Sequence, residues 1–190
     1  MELGSVVKTT SGGTPSRKKA EFYTNGDICW VKSKELLDSY VIDTEETINT
    51  LAIENSSAKI LPIHSVLIAM YGATVGALGI NSKSMACNQA ICALIENEKY
   101  PYTYLYQYAK ESKQELLNLS VGSAQQNISQ VLIKKLKVHS NIEKILLFHN
   151  LASPLHRKIE ILKYENSYLE TLRDELIPKL MSGDIDISEI

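Results

Sequence analysis

The chain has 190 residues, 44% of them hydrophobic and 22% charged, with a formal net charge of −2. That is one ordinary soluble domain plus an extension, with enough apolar material for a core, and the near-neutral total gives no sign of a nucleic-acid partner. It has no run of 18 apolar residues, which excludes a helical membrane span.

Val6 to Thr10 is predicted as a strand, and Ser11-Gly12-Gly13-Thr14-Pro15-Ser16 as a loop that two glycines bend and Pro15 stiffens. Ile28-Cys29-Trp30-Val31 reads as a short buried strand. Ser33 is placed as the cap of a helical turn through Leu37, and the acidic stretch around Asp43-Thr44-Glu45-Glu46 as exposed. Ser65 to Tyr71 is an apolar strand running into Gly72-Ala73-Thr74-Val75-Gly76. Gly79-Ile80 and Ala90 to Ile95 continue the sheet around a turn at Asn81-Ser82-Lys83-Ser84. Pro101 to Leu119 is helical, with Tyr102, Leu105, Tyr106 and Ala109 at helical spacing. Gly122 to Asn127 is a polar loop. Ile128 to Lys137 reads as a helical turn leading to a strand, and Asn141 to Leu151 as a helix.

A separate last helix is expected from Pro154, with Ser153 as cap and Gly183 as its end. Its seam runs Leu155, Ile159, Leu162, Asn166, Leu169, Arg173, Leu176, Leu180, in alternating steps of 4 and 3. That is a coiled-coil heptad pattern. Pro178 should bend or fray its last turn. Pro154 to Leu180 can reach ~40 Å at ~1.5 Å per residue, more than one turn of DNA at ~34 Å. Two arrangements accommodate Asn166: a register device in a buried seam, or a solvent-facing residue on a helix packed against the head.

The charges are segregated. Lys8 to Lys34 holds six bases and two acids, Glu35 to Lys59 six acids and one base, and Lys99 to Lys137 six bases and two acids. Two positive segments flank a negative one, a distribution that suits a polyanion although ordinary surface scatter would also produce it. Cys29, Cys87 and Cys92 are an odd set without metal-ligand spacing, read as buried thiols in a reducing cytoplasm. Met1 to Gly4 begins no signal-peptide pattern, so a cytoplasmic, membrane-free location is expected.

No catalytic constellation emerges. The glycine-rich stretch Gly72 to Gly79 lacks the Gly-Lys-Ser/Thr of a phosphate loop. The parts needed for amino-group methylation of a base are missing. Glu111-Ser112-Lys113 has nuclease-like spacing without an upstream aspartate. His64, His139, His149 and His156 have no metal spacing; His64 is read as a strand end and the others as surface residues. No metal, cofactor or catalytic residue is assigned. What remains is polar loops on a sheet. Thr14, Ser16, Arg17, Lys18 and Lys19 form one candidate set for DNA, Lys32, Ser33 and Lys34 a second, Tyr71 and Thr74 a third. Asn88-Gln89 and Gln125-Gln126-Asn127 add amides. Amides pair with adenine edges, while lysine and arginine meet phosphates.

The pieces Thr10-Ser11-Gly12-Gly13-Thr14-Pro15-Ser16-Arg17, Gly26 to Val31, Met70-Tyr71-Gly72-Ala73-Thr74-Val75-Gly76, Asn88-Gln89-Ala90, Gln126-Asn127-Ile128-Ser129 and Leu172 to Gly183, in this order, resemble the specificity subunit of type I restriction-modification systems. The resemblance implies an α+β target recognition domain, a twisted mixed β-sheet with flanking helices, over 1–140. A helical spacer and dimerisation region over 141–183 and a tail over 184–190 would follow. The usual subunit carries two such domains on two long antiparallel helices. Each domain reads half of a split double-stranded DNA target, and the subunit is itself non-catalytic, positioning a methyltransferase (modification) subunit and through it a restriction subunit. With one domain and one helix, this chain looks like half of that subunit. A homodimer through Leu155, Ile159, Leu162, Asn166, Leu169 and Leu176 would read two identical inverted half-sites. Trp30 and the turn glycines are expected to be scaffold. The rival expectations are a coiled-coil scaffold without DNA binding and a stand-alone nuclease.

Overall fold

The computed structural model describes residues 1–119 and 127–185. In chain order the elements are helix α1 (Leu3–Val6), strand β1 (Lys8–Ser11), a 3₁₀ turn (Ala20–Phe22), β2 (Ile28–Val31), a second 3₁₀ turn (Ser33–Glu35), β3 (Ser39–Val41), β4 (Thr47–Ile48), α2 (Thr50–Glu54), β5 (Val66–Ala69), β6 (Leu78–Asn81), β7 (Ala86–Cys87), β8 (Ile91–Ile95), α3 (Tyr102–Glu111), α4 (Lys113–Leu119), α5 (Gln130–Lys135) and α6 (Ile142–Ser182). Five strands make one open mixed sheet in the order β1–β8–β5–β6–β3, and three make a second in the order β4–β2–β7. Among the described residues, the parallel pairs are β6 with β3 and β2 with β7.

Side chains alternate across a strand, and here both faces are covered. Val66 and Ile68 of β5 join Leu78, Ile80, Cys92 and Leu94 under Tyr102, Leu105 and Tyr106 of α3. Leu67 and Ala69 point the other way, with Ile91 and Ala93, onto Cys29 and Val31 of β2 and Cys87 of β7. That double burial is why β5 reads as an unbroken apolar run. Trp30, between Cys29 and Val31, faces a third cluster with Phe22, Ile48 and Ala58. All three cysteines are buried free thiols, and desolvation pushes Cys87 and Cys92 up to about 12.

Several local expectations change. Leu3–Val6 forms a helical turn, so the first strand starts at Lys8. Ser33 lies inside its 3₁₀ turn; Lys32 is the capping position, and its amide donates to Glu35 Oε2 at 2.7 Å. The helix after Pro101 divides at the buried Ser112. The largest change concerns the end of the chain: α6 is one helix of 41 residues, capped by Asn141, with both Pro154 and Pro178 inside it. Ser153 is therefore no cap. The turns before Pro154 are packed onto the head through Ile145, and that packing carries the helix across a residue that locally costs an amide donor. At 1.5 Å per residue α6 spans ~60 Å. Among the described residues no helix is long and apolar enough to cross a membrane.

Candidate nucleic-acid interface

β1, β5 and β8 are neighbours in the large sheet, so the loop leaving β1, the loop leaving β5 and the loop entering β8 meet at one end. Backbone bonds lock them together. Gly13 N–H donates to Cys87 O at 2.9 Å, Met70 N–H to Ala90 O at 2.7 Å, and Ile128 N–H to Met70 O at 2.7 Å. The two glycines are required by this close approach. A Cβ on Gly12 would overlap the Cys87 carbonyl, and one on Gly13 would overlap Ser57. Thr14 is thereby set against Gln89, its hydroxyl donating to Gln89 Oε1. Gln89 also hydrogen-bonds Tyr71, whose hydroxyl pKa burial raises and that bond lowers. Thr74 is half-buried in the β5–β6 loop, and Asn127 is exposed beside the Ile128–Met70 bond. Gln125 and Gln126 lie outside the described residues.

A second group is joined to the first through Trp30, whose Nε1–H donates to Gly13 O at 3.0 Å. Here the acidic segment folds back onto the basic one. Arg17 pairs with Glu46 at 2.6 Å, Lys32 with Glu46 at 2.6 Å and Glu45 at 3.4 Å, and Lys34 with Glu45 at 2.6 Å. The Arg17 guanidinium also lies over the rings of Tyr23 at 4.4 Å and Trp30 at 5.3 Å. The Lys32 hydrogen bond, joined by Arg17, holds Glu46 below the usual carboxylate range. The first positive segment is thus largely neutralised at Arg17, Lys32 and Lys34. Ser16, Lys18 and Lys19 are exposed, and among the described residues neither lysine has an ion-pair partner; Lys19 lies over Phe22 at 5.0 Å. Ser33 is half-buried beside Lys32.

The structure therefore brings Thr14 and Tyr71 each into contact with Gln89, and Arg17, Lys32 and Lys34 into one ion-pair network. Sequence reasoning missed Gln130 and Lys59. Gln130 accepts from Ser11 Oγ at 3.3 Å and donates to Thr9 Oγ1 at 2.9 Å, and Lys59 donates to Thr10 Oγ1 at 3.4 Å. Gln130 follows directly on the Gln126–Ser129 piece, which is the signal that could have found it. Such a surface offers hydroxyls and amides able to pair with base edges, and lysines able to meet phosphates. Among the described residues no His, Cys, Asp and Glu group has a metal-binding arrangement.

Most of the heptad seam lies away from the head, although Asn166 lines a cleft between helix and head. Leu155 is 67% exposed and Leu169 51%; Ile159, Leu162, Asn166 and Leu180 are also exposed, and Leu176 is half-buried. The half-buried stripe is instead His149, Ala152, Ser153, His156, Glu160, Lys163 and Ser167.

Residues 1–140 match the family model described as the type I restriction modification DNA specificity domain. The chain is 26% identical over 189 residues to the type I restriction enzyme HindI specificity subunit of Haemophilus influenzae, covering 97% of this chain and 40% of that protein. It is 25% identical to the EcoR124I/EcoR124II specificity subunit of Escherichia coli, covering 90% and 46%. The chain thus spans less than half the length of these relatives. Its fold matches the S subunit of a type I restriction-modification system from M. genitalium at a TM-score of 0.66, with 18% identity, covering 97% of this chain and 46% of that one.

Proposed function

The chain belongs to the family of type I restriction-modification DNA specificity domains, and from that premise we propose that it reads one half of a bipartite double-stranded DNA target. Residues 1–140 act as the target recognition domain and residues 141–183 as spacer and dimerisation helix; positions 186–190 of the tail lie outside the described residues. The chain does no chemistry itself. It positions a methyltransferase subunit, and through it a restriction subunit, at the target. The observation that carries this reading is the convergence of Thr14, Tyr71, Gln89 and Asn127 at one end of a rigid sheet. Base edges are read by such groups on such a support, with Lys18 and Lys19 nearby in sequence for phosphates. A second copy covers the outward seam of α6, and twofold symmetry then gives identical, inverted half-sites.

The test is a methylome. The chain is expressed with the methyltransferase encoded beside it, and methyladenine is mapped by long-read sequencing. A split palindromic motif is expected. A split asymmetric motif would exclude the homodimer, and no new motif would remove the DNA-reading role.

One observation favours a coiled-coil scaffold that does not bind DNA: Glu45 and Glu46 already oppose three of the candidate cations. That alternative predicts unchanged sedimentation of the chain on DNA even with the methyltransferase present.

A further inference from the structure

Three of the four histidines in the chain meet around one ring, that of Tyr102. His64 stacks on it with centroids 4.3 Å apart. His149 and His156 approach edge-on at 6.2 and 5.7 Å. His156 Nδ1 lies 3.2 Å from the Tyr40 hydroxyl, and its ring meets that of Tyr106 edge-on at 5.8 Å. His149 Nδ1 lies 2.9 Å from Thr103 Oγ1. His64 adopts a left-handed backbone, φ 61°, to hold its ring there, which is uncommon for a residue other than glycine. Its Nε2 is buried and makes no hydrogen bond, with the Glu160 carboxylate 3.5 Å away.

This cluster ties the middle of α6 to the head. Toward the N-terminus of the helix the tie is apolar: Ile145 is 3% exposed within the main core. Beyond Glu160 the helix and head part around an open cleft of about 410 Å³, lined by Tyr40, Asp43, Lys163 and Asn166 among others. So α6 is pinned by one buried isoleucine and then clasped by imidazoles and phenol rings. The clasp has little aliphatic surface, and its packing needs the His156 ring, which meets three phenol rings, uncharged.

We propose that His156, seated among Tyr40, Tyr102 and Tyr106 beside His64 and His149, is the proton-sensitive centre of a joint that fixes the angle between the head and α6. Neutral, its ring holds the helix down; protonated, it releases the helix beyond Ile145. The groups facing the cluster are Tyr40 from β3, Tyr102 and Tyr106 from α3, Glu96 before α3, and Arg157 and Glu160 from α6 itself. Burial raises the pKa of each of these tyrosines, so they stay uncharged. Arg157 adds to the repulsion of a proton, and the Glu160 carboxylate opposes it at His64. Burial, reinforced by His149 and His156's other neighbour His64, lowers the pKa of His156. The docked state is therefore favoured above the ordinary histidine value of ~6.5. It is lost as pH falls through the window below that value, by up to about tenfold per pH unit for each proton taken up.

In the symmetric pair proposed above, this angle would set the distance between two heads and so the spacing of the half-sites. That consequence rests on the proposed function; the joint does not. The test uses the full chain, spin-labelled at Glu54→Cys on the head and Glu175→Cys on α6, both exposed positions. Excess unlabelled chain leaves only intrachain distances, and the native thiols are buried. Dipolar spectroscopy at about pH 8 should give one distance, and at about pH 5.5 a second, broader population enriched by up to about tenfold. The doubly substituted chain His149→Gln, His156→Phe, which keeps a hydrogen-bonding group and a ring without their protons, should hold the first distance at both pH values. Identical distributions for the wild type, or a variant that still responds, would overturn the joint. So would loss of the near-UV signal of Trp30 over the same range, because acid would then be unfolding the head. DNA binding without an angle change rejects the joint alone; an angle change without DNA binding rejects only the proposed function.

Discussion

The head and the long helix use apolar side chains in opposite ways. Every residue of β5 is buried, with a core cluster against each of its faces. In α6, of 41 residues only Ile145 is buried, while Leu155, Ile159, Leu162 and Leu169 stand in solvent and a His-, Ser- and Glu-bearing stripe faces the head. An amphipathic helix of a single domain turns its apolar stripe to its own core. The reversal here teaches that the apolar stripe of α6 is patterned for a surface the head does not supply.

The sharpest way to break this contrast is to charge the outward stripe. Leu162→Glu with Leu169→Glu should weaken self-association at least about 1000-fold, since an unpaired buried charge costs about 3–5 kcal/mol. Sedimentation equilibrium reads the effect, and the head's melting temperature should not move. A double variant that stays dimeric would mean the stripe serves another purpose. Next, alanine at two positions of the same helix should separate its two regimes. Ile145→Ala should cost about 2–4 kcal/mol in urea unfolding, against less than about 0.5 kcal/mol for Leu155→Ala. Equal costs would show that the stripe is covered within the chain.

Gly13→Ala should cost the head about 1–3 kcal/mol by overpacking against Ser57 and weaken DNA binding with it, as fluorescence anisotropy would show. The smallest effects concern charge. Lys18→Ala and Lys19→Ala should each flatten the salt dependence of DNA affinity by about 0.9 in log–log slope. Arg17→Ala should change it less, because Glu46 already opposes Arg17. The Glu46 pairs are present above the ordinary glutamate range and are lost as pH falls through its lowered value, so Arg17→Ala should gain weight in the slope only in acid.

Much of this was legible in the sequence and some was not, for identifiable reasons. Ile28–Val31 and Val66–Ala69 announced themselves because buried strands are apolar without a break. The heptad from Leu155 to Leu180 was legible because its spacing is local. β3, β4 and β7 escaped, being two or three residues long and defined only by their partners. The helix break expected at Pro154 followed a sound local rule that tertiary packing around Ile145 overrode. The Thr14–Gln89 contact could be guessed only as two polar loops, since 75 residues separate them. The neutralised basic segment was hidden for a similar reason: charge counted along the chain does not show Glu45 and Glu46 folding onto Lys32. His64, His149 and His156 gave no sequence signal as a set, although the i, i+7 spacing of the last two placed them on one helix face.

The loops at the sheet end are fastened to each other by main-chain atoms: Gly13 to Cys87, Met70 to Ala90, Ile128 to Met70. Main-chain bonds do not depend on which side chain a residue carries. Substitution at the exposed Thr14 and Asn127 should therefore cost folding little, provided Gly12 and Gly13 stay, whereas Tyr71 also packs on the core. The end of the sheet is thus held in shape by atoms that every residue carries, and its exposed side chains add little to that hold.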